Sequence, residues 1–249
     1  MPLPYRDFHY PLNVFMHLLT REEGQVRALH YGLFDSPDEP IRSAQERSTE
    51  LLLSTLPPPP ARVLDVGIGI ATTLARLIEG GWDAEGITPD EKQVVYARLR
   101  HGDALPIFLT PFESFEAQPY DCVVFQESSQ YIDSDALFAR AAKLTKHVVV
   151  LDEFATRPLD AAGSLHDFDR FVAAAASNGF AKISEVDVGM KASHTISYFL
   201  ARIPQHRAAL IADLGLDDNR IDELLESGAK YRELYLDGTY TYRLLEFRA

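Results

Sequence analysis

With 249 residues, 46% of them apolar, the chain is long enough for one large domain with a sizeable core. Its 37 acidic residues outnumber 24 basic ones, and the formal charge of −13 would repel the phosphates of a nucleic-acid duplex. A single cysteine, Cys122, excludes an intrachain disulfide and a cysteine-based metal site.

No apolar run approaches the roughly 20 residues of a bilayer span. The opening "MPLPYRDFHY" has no charged segment leading into an apolar one, so it is not read as a secretory signal. The expectation is a cytoplasmic protein, monomeric or homodimeric, with no nucleic-acid or membrane partner. The one basic-looking patch, Arg98-Leu99-Arg100-His101, reads as a solvated helix end.

Residues 12–34 alternate helical and turn character around Gly24 and Gly32. Residues 41–56 read as a helix, and the "PPPP" at 57–60 stops it because proline has no amide donor. Then the period changes. "ARVLDVG" (61–67) reads as a buried strand and 70–81 as a helix stopped by two glycines. A strand at 83–87 leads to a helix at 89–100, a strand at 106–109 and another at 121–126. A helix at 135–145, a strand at 147–154, a helix at 165–180 and a strand at 181–189 follow. Helices at 195–213 and 218–236 precede a closing strand at 239–249. Strand and helix in repeated alternation imply parallel strands with crossover helices. In such sheets ligands bind beyond the carboxyl ends of the strands. Residues 66–72, 88–93, 110–113 and 126–131 occupy those ends.

The stretch "RVLDVGIGIATTL" (62–74) is a strand, a glycine turn and a helix start. A P-loop needs Lys-Ser/Thr after its last glycine, which is missing. A dinucleotide fingerprint needs a third glycine where Thr72 falls and an acid where Thr88 closes the second strand. Asp65, two residues before Gly67, would repel a pyrophosphate and suits a ligand with a cationic end. An NAD-dependent dehydrogenase is disfavoured on these three residues.

"VLDVGIGIATTL" resembles the first motif of class I S-adenosylmethionine-dependent methyltransferases. "GITPDEKQ" (86–93) and "LTPFESF" (109–115) resemble the corresponding blocks of the branch with cyclopropane-fatty-acid synthases, mycolic-acid methyltransferases and small-molecule methyltransferases. "LHYGLFDS" and "AQERSTELL" also look like that branch. The resemblance implies a Rossmann-like α/β fold with a seven-stranded, mostly parallel sheet and an antiparallel last strand. It also implies one domain over 1–249: a helical cap (1–56), a cofactor core (61–189), a helical insertion (190–238) and a final strand. S-adenosylmethionine would be the cofactor and S-adenosylhomocysteine the product. By resemblance Asp65, Gly67, Ile68, Gly69, Thr72 and Gln126 would be among the residues that bind the cofactor. Thr88 and Gln93 would contact the ribose, Phe112 the adenine face and Glu113 its amino group. Gly67→Val would exclude the ligand and leave the fold intact.

A sulfonium methyl is already activated, so transfer is an in-line displacement that needs alignment and water exclusion. Glu127, Gln130 and Tyr131, after the strand at 121–126, should border the methyl group. Glu127, Tyr131 and His30 are the candidates for catalysis, His30 because a histidine suits proton abstraction. Tyr31, Gln130, His194 and Tyr198 are the candidate substrate contacts. The resembling cyclopropane synthases have a glutamate that holds a bicarbonate base at the position aligned with Gln130. An amide there argues for ordinary methyl transfer to N, O or an activated carbon. No histidine pair has zinc-like spacing, so no metal is expected. The alternative is a noncatalytic or repurposed cofactor-binding protein.

Overall fold

The structure, a computed structural model, describes residues 4–157 and 165–249. Along the chain come α1 (Leu12–Glu23), α2 (Ile41–Leu53), β1 (Arg62–Val66), α3 (Thr72–Glu79), β2 (Asp83–Thr88), α4 (Glu91–His101), β3 (Ile107–Leu109) and β4 (Cys122–Gln126). Then follow α5 (Ser134–Leu144), β5 (His147–Ala155), β6 (His166–Asp167), α6 (Phe168–Ser177), β7 (Ala181–Asp187), α7 (Gly189–Gln205), α8 (Arg207–Leu214), α9 (Asp218–Leu236) and β8 (Tyr240–Arg248). The chain divides into two compact units. One holds residues up to Ser48 with Met190–Gly238, and the other Thr49–Gly189 with Thr239–Ala249.

In the second unit the strand order is β3-β2-β1-β4-β5-β8-β7. β1 to β5 pair in parallel, and β8 runs antiparallel to both β5 and β7. β2 and β3 extend to one side of β1, and β4 and β5 to the other. The order therefore reverses at the carboxyl ends of β1 and β4, which is where such sheets bind ligands. β4 and β5 are buried along their whole length; their apolar stretches 122–125 and 148–151 are those of a parallel sheet covered on both faces. Helices α5 and α6 bring Leu137, Phe138 and Phe171 onto Val123, Phe154 and Phe247.

Three expected element bounds need correction. The seven strands of this path fit the expected sheet, and among the described residues the two-residue β6 adds a short parallel pairing at the end of β5. The residues of β6 stood in the sequence reading as a helix start, but Asp167 caps α6 by accepting from the Arg170 amide at 2.9 Å. Similarly, α4 begins at Glu91 and not at Pro89, since Asp90 is the cap and accepts from the Lys92 amide. Finally, the single helix expected over 195–213 is two. Pro204 lies in the last turn of α7, where it offers no amide, and His206 separates α7 from α8.

In the first unit, Val14 and Leu18 of α1 form a core with Ile203, Leu210, Ile221 and Leu224. Cap and insertion, far apart in sequence, thus make one unit. Among the described residues no helix is long and apolar enough to cross a membrane.

Candidate functional site

β1 ends in a turn with three left-handed residues: Gly67 (φ 77°), Gly69 (φ 53°) and Ala71 (φ 61°). The amides of Gly67 and Ile68 both donate to the Ile87 carbonyl, at 2.9 and 3.3 Å, which ties the turn to β2. A Cβ on Gly67 would lie 2.4 Å from the Ser128 Cβ, so this glycine serves the approach of the segment after β4. The Ile68 side chain is buried over Gly86. Ala71 stands immediately before Thr72, the first residue of α3, and does a glycine's work with a methyl group in the left-handed region. Ala71→Gly is therefore expected to stabilise the protein by about 0.5–1 kcal/mol in urea unfolding. A loss of stability would mean that this turn is misassigned.

The first turn of α3 collects two buried polar side chains. Asp65 is 2% exposed and accepts from the Leu74 amide, while its Oδ2 has no partner. Burial pushes its carboxyl up to about 7. Gln126, at the end of β4, accepts a 2.5 Å hydrogen bond from Thr73 Oγ1, while its Nε2 has no partner. An orphan acceptor and an orphan donor thus hang on consecutive residues of one helix turn.

At the end of β2, Thr88 donates to Gln93 Oε1 at 2.8 Å, and Thr88 Oγ1 accepts from the Asp90 amide. The two residues singled out five positions apart do meet. After β3, Phe112 opens a 3-10 turn with Glu113 and Ser114. Its ring was expected on an adenine face. It is instead seated in the core, 2% exposed and edge-on to Phe125 at 5.2 Å. Glu113 has an exposed side chain, and its carbonyl accepts from Nε and Nη2 of Arg140 on α5, at 2.9 and 2.6 Å. Arg140 thereby fixes the turn, a role with no local signal in the sequence.

Beyond β4, Glu127 adopts φ 54°, and its Oε1 accepts from the Tyr242 hydroxyl at 2.7 Å. The following turn is pinned by the fully buried Asp152. Asp152 Oδ2 accepts from the Ser129 amide and hydroxyl at 2.9 and 2.6 Å, and its Oδ1 from the Glu153 amide. His166 Nε2 bonds the Ser129 carbonyl. Gln130 is half-buried, and the Tyr131 ring is 75% exposed. Sequence reasoning missed Thr73, Arg140, Asp152 and Tyr242. Only Asp152 left a signal, as an acid inside the apolar run "VVVLDEF".

The remaining candidates lie in the first unit. The Gly32 amide donates to Thr195 Oγ1 at 2.9 Å, and Thr195 donates back to the Gly32 carbonyl, so the loop with His30 and Tyr31 meets α7 with His194 and Tyr198. His30 is buried, its Nδ1 donates to the Tyr31 carbonyl, and burial lowers its pKa to about 4. Burial thus disfavours the protonated imidazole that proton abstraction would produce. Tyr31 is half-buried. His194 lies beside Phe34, with ring centroids 6.1 Å apart. Tyr198 is 7% exposed under the Arg202 guanidinium, and burial raises its hydroxyl to about 12. Among the described residues no group of three His, Cys, Asp or Glu is placed to hold a metal ion.

No protein-family model matches the chain, and no curated protein matches it. Among solved structures it is similar to the cyclopropane synthase MmaA2 of Mycobacterium tuberculosis. The TM-score is 0.81 at 15% identity, over 99% of this chain and 96% of that one. The [4+2]-cyclase SpnF is similar at TM-score 0.76 and 17% identity, over 93% and 91% of the two chains. A geranyl diphosphate C-methyltransferase of Streptomyces coelicolor A3(2), solved with S-adenosyl-L-homocysteine, gives 0.68 at 16% identity, over 98% and 94%. The class defined is one of fold: a Rossmann-like methyltransferase fold, with mostly parallel strands and antiparallel pairing at the end of the chain.

Proposed function

We propose that this protein transfers the methyl group of S-adenosylmethionine to a small-molecule acceptor. The observation that carries the reading is that two of the buried polar atoms without partners, Asp65 Oδ2 and Gln126 Nε2, belong to side chains held by consecutive residues of the first turn of α3. A buried polar atom left unpaired is rare and costly. The ammonium and carboxylate of an amino-acid end offer one donor and one acceptor, the complement of this pair. A cation beside Asp65 would also restore its charged form. Gly69 and Thr72 line the same turn, Thr88 and Gln93 would hold the ribose hydroxyls, and Glu113 would accept from the adenine amino group. In this reading Phe112 anchors the adenine turn in the core.

Bound S-adenosylmethionine supplies a methyl group activated on a sulfonium sulfur. The chain's own task is to hold the two ends of the cofactor, keep water out and set the acceptor beyond β4, near Glu127, Gln130 and Tyr131. Tyr31, His194 and Tyr198 are proposed as substrate contacts, and the protein as a cytoplasmic one with no nucleic-acid partner. Calorimetry with S-adenosylhomocysteine is expected to show micromolar binding; no heat at about 1 mM ligand would retire the reading. The structural likeness to a cyclase favours a second reading, in which the same cofactor site serves a reaction other than methyl transfer. Tight cofactor binding without transfer to any acceptor would select it.

A further inference from the structure

We infer that Tyr242 positions Glu127, and that Glu127 takes up a proton from the acceptor, so that the substrate is methylated at an atom carrying a hydrogen. The inference rests on the methyl-transfer reading above. Glu127 directly follows β4, and its amide donates to the Leu151 carbonyl at 3.0 Å, extending the β4–β5 pairing. At φ 54° it occupies a backbone region that costs a non-glycine residue about 1 kcal/mol. Glycine would avoid that cost, and strain of this kind collects at functional sites. What the glutamate adds is a carboxylate, and that carboxylate is held at 2.7 Å by the Tyr242 hydroxyl.

Tyr242 is a rigid holder. Its side chain is fully buried, and it sits on β8 between β5 and β7. Glu153 stands opposite it on β5, and the Tyr242 carbonyl accepts from the Val188 amide at 2.8 Å. The phenol is a donor to an ionised carboxylate, a strong and directional bond. Titratable groups around this strand end include Tyr131, Asp152, Glu153, Tyr240 and His166, and the charges of Asp152, Glu127 and Glu153 all act on Tyr131. Asp152 has both oxygens engaged, by Ser129 and by the Glu153 amide. Glu127 is the half-buried acid at the strand end. In the step, a lone pair of the acceptor forms the bond to the methyl carbon. The carbon–sulfur bond breaks with its electrons passing to sulfur, and the proton of the acceptor O–H or N–H passes to Glu127.

The test is Tyr242→Phe, which keeps the buried ring and removes only the hydroxyl. Glutamate carboxyl carbons labelled with 13C would be titrated by NMR, the Glu127 signal being the one absent in Glu127→Gln. The Glu127 midpoint is expected to rise by about one pH unit in Tyr242→Phe, while S-adenosylhomocysteine affinity stays within about twofold. An unmoved midpoint would overturn the positioning role. In a second arm, methyl-labelled S-adenosylmethionine is offered with a panel of amines, alcohols and phenols. Tyr242→Phe is expected to lower kcat, leave the cofactor KM unchanged and move the acidic limb of the pH profile upward. Glu127→Gly relieves the backbone strain but leaves the buried Tyr242 hydroxyl without this acceptor, so it is expected to stay folded at somewhat lower stability and to lose transfer. Transfer retained in Glu127→Gly would sink the proton-acceptor role. Wild-type protein that binds no S-adenosylhomocysteine fails the methyl-transfer reading instead, so the two failures are distinguishable.

Discussion

Gly67→Val is expected to destabilise the protein by about 3 kcal/mol or more, and so to remove cofactor binding by unfolding rather than by blocking a pocket. Two costs add at this position. A β-branched side chain at φ 77° is strained by about 1–2 kcal/mol. Its Cβ would also lie 2.4 Å from the Ser128 Cβ, and overpacking of this kind costs about 1–3 kcal/mol. Ser128 cannot easily retreat, because its hydroxyl donates to the Val66 carbonyl. A double-mutant cycle in urea separates the terms. Gly67→Ala should be destabilised, and adding Ser128→Gly should recover part of that loss, since it deletes the clashing carbon. Strictly additive effects would show that the turn and the segment after β4 do not touch. The sequence alone suggested a glycine kept clear for a ligand; the structure gives the clearance to Ser128.

Asp65→Asn is expected to trade cofactor affinity for stability. The folded carboxyl titrates at about 7 against 3.8 for the free group. Between those values the folded protein holds a proton that the unfolded chain has lost. The contribution of this group to stability therefore falls as pH rises through that window and is least favourable above 7. Asparagine removes the buried charge but leaves an amide to satisfy, so a net gain of about 1–2 kcal/mol at pH 8 is expected, vanishing near pH 4. S-adenosylhomocysteine affinity should fall at least tenfold in the same variant, for loss of a charge-assisted partner. In wild type, the dissociation constant should rise about tenfold for each pH unit below 7, as Asp65 takes up its proton. Calorimetry from pH 5.5 to 8 measures both; a flat profile in wild type would remove Asp65 from the ligand.

What could be read directly was local. Hydrophobic period, the glycines and the proline run placed the strands and helices of the α/β core, because those signals act within a few residues. Thr88 and Gln93, singled out by resemblance, meet for a local reason: a strand end and the first turn of the next helix bring residues five apart together. Misread elements had competing local devices, a capping Asp167 before α6 and Pro204 inside α7.

The rest depended on chain segments that only the folded sheet brings together. Phe112 had the right type and spacing for a ring beside adenine, yet burial against Phe125 decided its place. His30 has an ordinary histidine's chemistry until burial lowers its pKa to about 4. Tyr242 reaches Glu127 across 115 positions, through β8 inserted between β5 and β7. Residue types and short-range spacing thus determined the fold class and where a ligand should lie. Desolvation and partners distant in sequence decided how those side chains are buried and held, because both are properties of packing and have no signature in any one stretch of chain.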